Sequence, residues 1–269
     1  MVEKGLSMPD MRQGFGKAPI EHLSDILLHR NLSPEVTAHC VGVLKEYDEI
    51  HQSLGAELPP PIRKALDAVQ AKYPRIPAQH QREFSADSFF SKIDAPFPEF
   101  AASRHSVRNY DPNAGIPIDD LIEAIGIAKT APSACNRQPI RVHIVTNREK
   151  IKQCLALQGG NRGFGHLGDK LLIVTGKIET QLGANEFLSL YIDGGIFIMN
   201  LCYGLHFKKI AHCILNWYAP PAQDRALRKV VEIPEGENVM VMIICGHPAE
   251  FFKIAESPRL STESLYTVH

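Results

Sequence analysis

Seven consecutive apolar residues near the end of the chain, VMVMIIC at 239–245, constrain the fold more than any other feature. A run of this length, rich in valine and isoleucine, is typical of a central strand that is buried on both faces. Helical and strand patterns alternate beyond Arg104, and the sequence therefore predicts a domain that mixes α and β structure.

The predicted elements of this domain follow one another closely. Asp119 and Asp120 open a helix, Ile140 to Ile144 alternate as a strand, Asn147 begins another helix, and Leu171 to Val174 form a second strand. Gly194 to Phe207 is apolar nearly all round, which indicates a buried helix, and Pro221 opens a short helix that ends near Val231.

The first 75 or so residues have only helical patterns. Residues 33–55 begin with Ser33 as an N-cap and Pro34 at the first helical position, and a shorter helix ends before Pro74. From Pro74 to Phe100 prolines alternate with phenylalanines, which predicts an extended strap with buried rings. We therefore expect a helical extension over residues 1–95 and a main domain over residues 96–269.

Composition narrows the classes of function. The formal charge of −1 and the pI near 6.9 provide no overall field for nucleic acid or membrane surfaces, so an anion site must be local. The six cysteines are scattered without a CxxC pair, which favours a reducing compartment. The longest uncharged segment is about 14 residues, too short to span a bilayer, and we expect a cytoplasmic protein.

Common catalytic motifs are missing or out of place. GFGHLG at 163–168 matches the dinucleotide fingerprint by its letters, but it precedes a strand instead of opening a helix, and a Gly-rich loop is the better interpretation. The histidines lack metal-ligand spacing, and the chain contains neither a nucleophile elbow nor a P-loop. We expect no metal site.

The motif RHSVR offers an anion site. Arg104, Ser106 and Arg108 share a face if the chain is extended, and both guanidinium groups form charge-assisted hydrogen bonds, a combination that suits a phosphate. A solvated basic loop is the equally weighted alternative.

The loop APSACNRQP at 131–139 supplies amides that donate and accept, as reading the edge of a planar heterocycle requires. An ordinary helix-to-strand turn is the alternative for this loop.

In combination and in order, these segments resemble the FMN-dependent nitroreductase family. The resemblance covers about residues 100–262 and consists of SRHSVRNYD, KTAPSACNRQPIRVHIVT, IDGGIFIMNL, IPEGENVMVMIICGHP and SPRL. It implies an α+β fold, with a central, mostly antiparallel sheet flanked by helices, in an intertwined homodimer that binds FMN at the subunit interface.

The resemblance also implies a set of FMN-binding residues. The first motif would contact the ribityl chain, phosphate and pyrimidine side through Arg104, His105, Ser106 and Arg108, and the loop would supply Pro132, Ser133 and Asn136. Gly194 and Gly195 match a turn whose backbone N–H points at flavin N5, where a fixed donor at a helix N-terminus would stabilise the reduced ring.

The match is imperfect at two places. Arg259 corresponds to an arginine that closes on the phosphate, but Ser257 stands where family members often have lysine, which leaves more of the neutralisation to Arg104 and Arg108. Lys209-Ile210 replaces the usual Gly-Leu after the buried helix.

The implied activity is a two-step oxidoreduction in which NADH or NADPH passes hydride to the flavin and a small organic acceptor is reduced. We expect Asn161 and Phe164 to line the acceptor pocket, because their loop combines glycines with polar residues. The alternatives are a dehydrogenase or dehalogenase that uses another acceptor, and a non-catalytic flavin-binding protein.

Overall fold

The chain folds into two compact units. The computed structural model describes residues 1–181, 183 and 186–269, and divides them into Met1–Glu83 with Lys253–His269, and Phe84–Phe252. The predicted boundary after residue 95 therefore differs from the observed one. The reason is that the Phe84 ring packs against Phe89 and Phe252, so the end of the predicted strap belongs to the second unit.

The first unit is helical, as expected. Its helices are α1 (Val2–Leu6), α2 (Lys17–His29), α3 (Pro34–Ser53) and α4 (Pro60–Lys72). The Ser33 Oγ accepts a hydrogen bond from the Val36 N–H at 3.3 Å, and Pro34 follows as the first helical residue, which confirms the predicted start of α3.

The first unit has its own core. The side chains that α1 to α4 bury together are apolar, namely Val2, Leu6, Ile20, Leu27, Val41, Val43, Leu44, Tyr47, Ile62, Leu66 and Val69.

The second unit contains the predicted mixture of helices and strands. The helices are α5 (Ala86–Phe89), α6 (Phe97–Ser103), α7 (Ile118–Ala128), α8 (Arg148–Leu157), α9 (Phe187–Phe207) and α10 (Pro221–Val230). The strands are β2 (Ile140–Val145), β3 (Lys170–Lys177), β4 (Ala211–Asn216) and β5 (Glu237–Gly246). A separate two-stranded sheet pairs β1 (Arg82–Ser85) with β6 (Phe251–Ile254).

The main sheet is antiparallel, with strand order β2-β3-β5-β4. The apolar run at 239–245 lies in β5 between two neighbours, as predicted, and the α+β class is confirmed. Strand β4 was not predicted. Its six residues, AHCILN, mix apolar side chains with His212 and Asn216, and they show neither a continuous apolar run nor a regular alternation.

Helix α9 is the centre of the second unit. It begins at Phe187 rather than at Gly194, and Leu201, Cys202 and Leu205 are fully buried in the core. A Cβ at Gly204 would lie 2.7 Å from the Ala124 carbonyl oxygen, so glycine permits the close approach of α7. Helix α9 is long and apolar enough to cross a membrane. The burial of Leu201, Cys202 and Leu205 in the core is typical of a core helix in a folded domain.

The aromatic segment before α6 is only partly buried. Phe89 and Phe90 are buried and pack around the His206 ring at centroid distances of 5.3 and 5.4 Å, as the predicted ring burial requires. Phe97 is 66% exposed, and the prediction is wrong for this ring. Phe97 opens α6, and the centroid of its ring lies 5.7 Å from that of Tyr203 and 6.4 Å from that of Phe100.

Lys209 occupies a backbone conformation that favours glycine. Its φ is +55°, and the turn after α9 closes with hydrogen bonds from Lys209 N–H to His206 O (3.0 Å) and from Ile210 N–H to Leu205 O (2.8 Å). This is the Schellman pattern of a helix C-terminus, in which glycine is the preferred residue. Lys209, which replaces the glycine expected at this position, therefore keeps the turn, but its left-handed backbone conformation costs free energy.

We predict that Lys209→Gly raises the free energy of unfolding by about 1 kcal/mol, because the left-handed conformation is strained for a residue with a Cβ. Chemical denaturation measures the change. Lys209→Ala removes the same charge but keeps the Cβ, and it should give no such gain. Equal stabilisation by both substitutions would contradict the backbone explanation.

Candidate functional site

The segment from Ser103 to Asp111 is anchored on two strands of the main sheet. The Val107 N–H donates to the His212 carbonyl of β4 at 3.0 Å, and the Asp111 N–H donates to the His247 carbonyl after β5 at 2.9 Å. The Tyr110 hydroxyl, which is fully buried, lies 2.6 Å from the Val107 carbonyl and 3.3 Å from the Ile244 carbonyl. Arg104 and Arg108 are thus held on a fixed backbone.

The two arginines of this segment have no acidic partner in the part of the chain that the structure describes. Among the residues that the structure describes, neither guanidinium forms an ion pair with a carboxylate, although both side chains are half-buried. The Arg108 Nε is buried without a hydrogen-bond partner, and its guanidinium carbon lies 5.9 Å from the centroid of the Phe164 ring. A buried cationic donor without a counter-charge is costly, and a bound anion would satisfy it.

Two buried histidines lie in the electrostatic field of Arg104. Burial, reinforced by the positive charge of Arg104, lowers the pKa of His206 to about 4 and the pKa of His212 to about 3. Both rings are therefore neutral near pH 7, so the positive charge in this region comes from the arginine side chains.

The loop at 131–139 has an unusual backbone. Cys135, Asn136 and Gln138 have φ angles of +51°, +54° and +49°, a conformation that is strained for residues with a Cβ. The Ala134 N–H donates to both carboxylate oxygens of buried Asp193 at 3.1 Å, and the Gln138 N–H donates to the Ser133 Oγ at 2.9 Å. These bonds hold the Asn136 side chain in an exposed position.

A second contact joins this loop to the start of α9. The Arg137 guanidinium pairs with Glu186, and its Nε donates to the Ala134 carbonyl at 3.1 Å. Asp193 and Arg137 were missing from the predicted site. The sequence offers one weak signal for them. Asp193 is a charged residue directly before Gly194, and Arg137 is a charged residue directly after Asn136, so each is adjacent to a residue predicted to bind flavin.

Pro132 and Ser133 form one wall of a cavity of about 260 Å³ in the second unit. The C-terminal end of α7, the start of β2 and the middle of α9 complete it. The other residues that line it are Ile125, Lys129, Ala131, Gln138, Pro139, Ile140, Arg141, Val142, Asp193 and Phe197. This volume exceeds the 150 Å³ or so that holds a benzene-sized molecule.

Gly194 and Gly195 do not form a turn at a helix N-terminus, so this part of the prediction is wrong. Both lie inside α9, where their N–H groups belong to the helical hydrogen-bond pattern. A Cβ at Gly194 would lie 2.3 Å from the Met240 Sδ, which explains glycine there by packing against β5. Any contact of the two glycines with flavin N5 stays a prediction.

Phe164 does not face an open pocket, as the expected acceptor site requires, and the role of Asn161 in lining such a pocket stays a prediction. Phe164 is fully buried. The Asn161 amide nitrogen donates to the Leu155 carbonyl at 2.7 Å and to the Gln158 carbonyl at 2.5 Å, so it closes the turn after α8. The Gly-rich loop is followed directly by β3, as the sequence predicts.

Arg259 belongs to the first unit, where its side chain is exposed and its Nη1 donates to the Ser257 carbonyl at 2.5 Å. Ser257 has a φ of +42° and donates its N–H to Glu3 Oε1 at 2.7 Å. The contact of Arg259 with a phosphate stays a prediction. The binding roles of His105 and Ser106, which are half-buried beside Arg104, stay predictions as well.

Comparison with known proteins identifies a common segment. A family model described as the nitroreductase family matches residues 101–161. A protein named CLA biosynthesis enone reductase from Lactiplantibacillus plantarum is 46% identical over 56 residues, which is 20% of this chain and 26% of that protein. A Bacillus subtilis protein named for NAD(P)H nitroreductase activity, YdgI, is 35% identical over 66 residues, or 24% of this chain and 32% of its own.

The fold is shared more widely than the sequence. A nitroreductase from Desulfovibrio desulfuricans, solved in complex with FMN, is 17% identical, with a TM-score of 0.55 over 65% of this chain and 96% of its own. At this identity the likeness shows the fold alone. The sequence matches span about a quarter and a third of the two curated relatives.

The two glycines of α9 give a matched pair of substitutions. We predict that Gly194→Ala lowers the free energy of unfolding by about 1 to 3 kcal/mol, because its Cβ would overlap Met240. Gly195→Ala meets no atom within 4 Å and should raise the stability by up to about 1 kcal/mol through helix propensity. Denaturant titration compares them, and equal effects would contradict the packing explanation.

The neutral histidines predict a loss of stability in acid. The unfolded chain takes up a proton at His206 below about pH 6.5, whereas the folded chain does so only near a pKa of about 4. The free energy of unfolding should therefore fall between these pH values, by roughly 3 kcal/mol for this group, and level off below. Urea titrations from pH 7 to 4 should show a smaller fall in His206→Phe. An equal fall in both proteins would contradict this assignment.

Proposed function

We propose that the chain is a member of the nitroreductase family and an FMN-dependent NAD(P)H oxidoreductase that reduces a small organic acceptor. The match of residues 101–161 to the family model and the nitroreductase-like fold support an oxidoreductase in general. The relative YdgI is named for an NAD(P)H activity, and the Desulfovibrio protein contains FMN. The donor, the acceptor and the residues that follow are our proposal for this chain.

The observation that carries the proposal is the unpaired charge of Arg104 and Arg108. The orphaned Nε of Arg108 is a donor that a phosphate oxygen fits, and no described carboxylate competes for either guanidinium. We assign the phosphate to these two arginines and to Ser106, with His105 beside them.

The strained loop and the cavity would orient the ring and the acceptor. The Asn136 side chain is exposed, and its Oδ1 accepts a hydrogen bond from the Gln138 Nε2 at 3.0 Å. This bond fixes the orientation of the amide group, and therefore the direction of its Nδ2. We assign Asn136, Pro132 and Ser133 to the edge of the isoalloxazine, and the cavity that Phe197 and Ile140 line to the acceptor. When bound, FMN supplies the hydride chemistry, and the chain binds, orients and excludes water.

We propose a homodimer in which a second copy covers α9. Leu188, Ile192 and Ile196 recur at intervals of four along this helix and are 68%, 61% and 40% exposed, which forms an apolar stripe unusual for a free surface. A second copy would bury the stripe.

We also propose a cytoplasmic location. The formal charge of −1 and the scattered free cysteines support it.

We predict that Arg104→Ala and Arg108→Ala each weaken FMN binding by about 10- to 100-fold, because each removes a charge-assisted hydrogen bond to the phosphate. Visible absorption of the purified proteins measures flavin content, and steady-state NADPH oxidation measures turnover. Arg225→Ala, which removes an exposed arginine of α10, is the control and should keep wild-type flavin content.

Full flavin content in Arg104→Ala would overturn the phosphate assignment. Flavin content near one per subunit with no turnover of NADH or NADPH with any quinone or nitroaromatic acceptor would instead leave a flavin-binding protein without reductase activity.

A further inference from the structure

A buried histidine stands behind the start of the arginine segment. His206 of α9 is fully buried, and its Nε2 lies 2.8 Å from the Ser103 Oγ at the C-terminal end of α6. Arg104 follows Ser103 directly and leaves the helix in an extended conformation, with φ −73° and ψ 120°. The hydrogen bond therefore acts on the residue from which the anion site begins.

The hydrogen-bond network defines which ring nitrogen carries the proton. The Ser103 hydroxyl donates its single hydrogen to the Phe100 carbonyl at 2.8 Å, so it accepts from His206, and the His206 Nε2 is the donor. The other nitrogen, Nδ1, is then an unprotonated acceptor, and it is buried without a partner. Leaving an acceptor unsatisfied is unfavourable, and packing alone does not explain a histidine at this position.

The surroundings of His206 explain why the ring is uncharged. The rings of Phe89, Phe90 and Phe100 surround it at centroid distances of 5.3, 5.4 and 5.5 Å. The charged and titratable groups that act on it are Arg104 and His105 of the arginine segment. His212 of β4 lies near enough to be affected by both Arg104 and His206. All of these neighbours favour the neutral ring.

The position is selective for a neutral donor. A charged lysine or arginine there would repel Arg104 in an apolar shell, and a leucine or phenylalanine would leave the Ser103 oxygen without a donor. A neutral imidazole supplies one N–H to Ser103 and adds no charge beside the guanidinium.

We propose that His206 is a positioning residue for the anion site, which through its hydrogen bond to Ser103 fixes the backbone at which Arg104 leaves α6. His206 acts through Ser103 and makes no contact with the anion. The inference rests on the proposed function, in which Arg104 binds the phosphate of FMN.

Three substitutions separate positioning from packing. His206→Phe keeps a ring among the phenylalanines and removes the donor. His206→Gln retains an N–H that reaches the place of Nε2. Ser103→Ala removes the acceptor while leaving His206 unchanged. Affinity for FMN and for inorganic phosphate is measured by calorimetry, with the thermal unfolding midpoint measured on the same samples.

We expect His206→Phe to lose about tenfold or more in affinity for both probes while its unfolding midpoint stays at or above that of the wild type. Ser103→Ala should lose the same factor, and the double variant should lose no more, because the two residues act through one bond. His206→Gln should remain within about threefold of the wild type. Amide hydrogen exchange at residues 104–108 should rise in His206→Phe even without flavin.

Wild-type affinity in His206→Phe, or additive losses in the double variant, would overturn the inference while the proposed function stands. A wild-type protein that binds phosphate but not FMN, with the same pattern among the variants, would overturn the proposed function and support the positioning role. A wild type that binds neither probe would overturn both.

Discussion

The uncompensated charge of Arg104 and Arg108 is the constraint on which the candidate site depends. Two guanidinium groups are half-buried in one short segment, and the Nε of Arg108 has no hydrogen-bond partner among the described residues. Proteins rarely bury such donors without another group that satisfies them. No described carboxylate does so here, and we infer that an anion completes the site. The phosphate of FMN has the required charge and acceptor geometry.

The rest of the second unit keeps this segment in place. His212 of β4 accepts the Val107 N–H, and His247, directly after β5, accepts the Asp111 N–H. The buried Tyr110 hydroxyl lies within hydrogen-bond distance of the Val107 and Ile244 carbonyls. Helix α9 contributes twice. Asp193 holds the strained loop through the Ala134 N–H, and His206 holds the end of α6 through Ser103. The same helix thus connects the loop and the arginine segment to one core.

The sequence predicts the regular parts of this fold because helix caps and apolar periods are local signals. Ser33, Asn147 and the run at 239–245 identify their elements correctly. Long-range contacts leave no such signal. Asp193 and Ala134 are 59 residues apart, and nothing nearby in the chain shows that they bond.

Local resemblance can also mislead. Gly194 and Gly195 follow an acidic residue, as a flavin-facing turn would, yet Gly194 is explained by its contact with Met240 inside a helix. The proposal that Arg104 and Arg108 bind phosphate rests on a resemblance of sequence motifs and on the finding that no described carboxylate pairs with either guanidinium. The direct test compares the dissociation constants of FMN and riboflavin, which differ only in the phosphate. We predict that the wild type binds FMN at least about 100-fold more tightly and that Arg104→Ala/Arg108→Ala abolishes this preference. Equal affinity for the two flavins in the wild type would contradict the account.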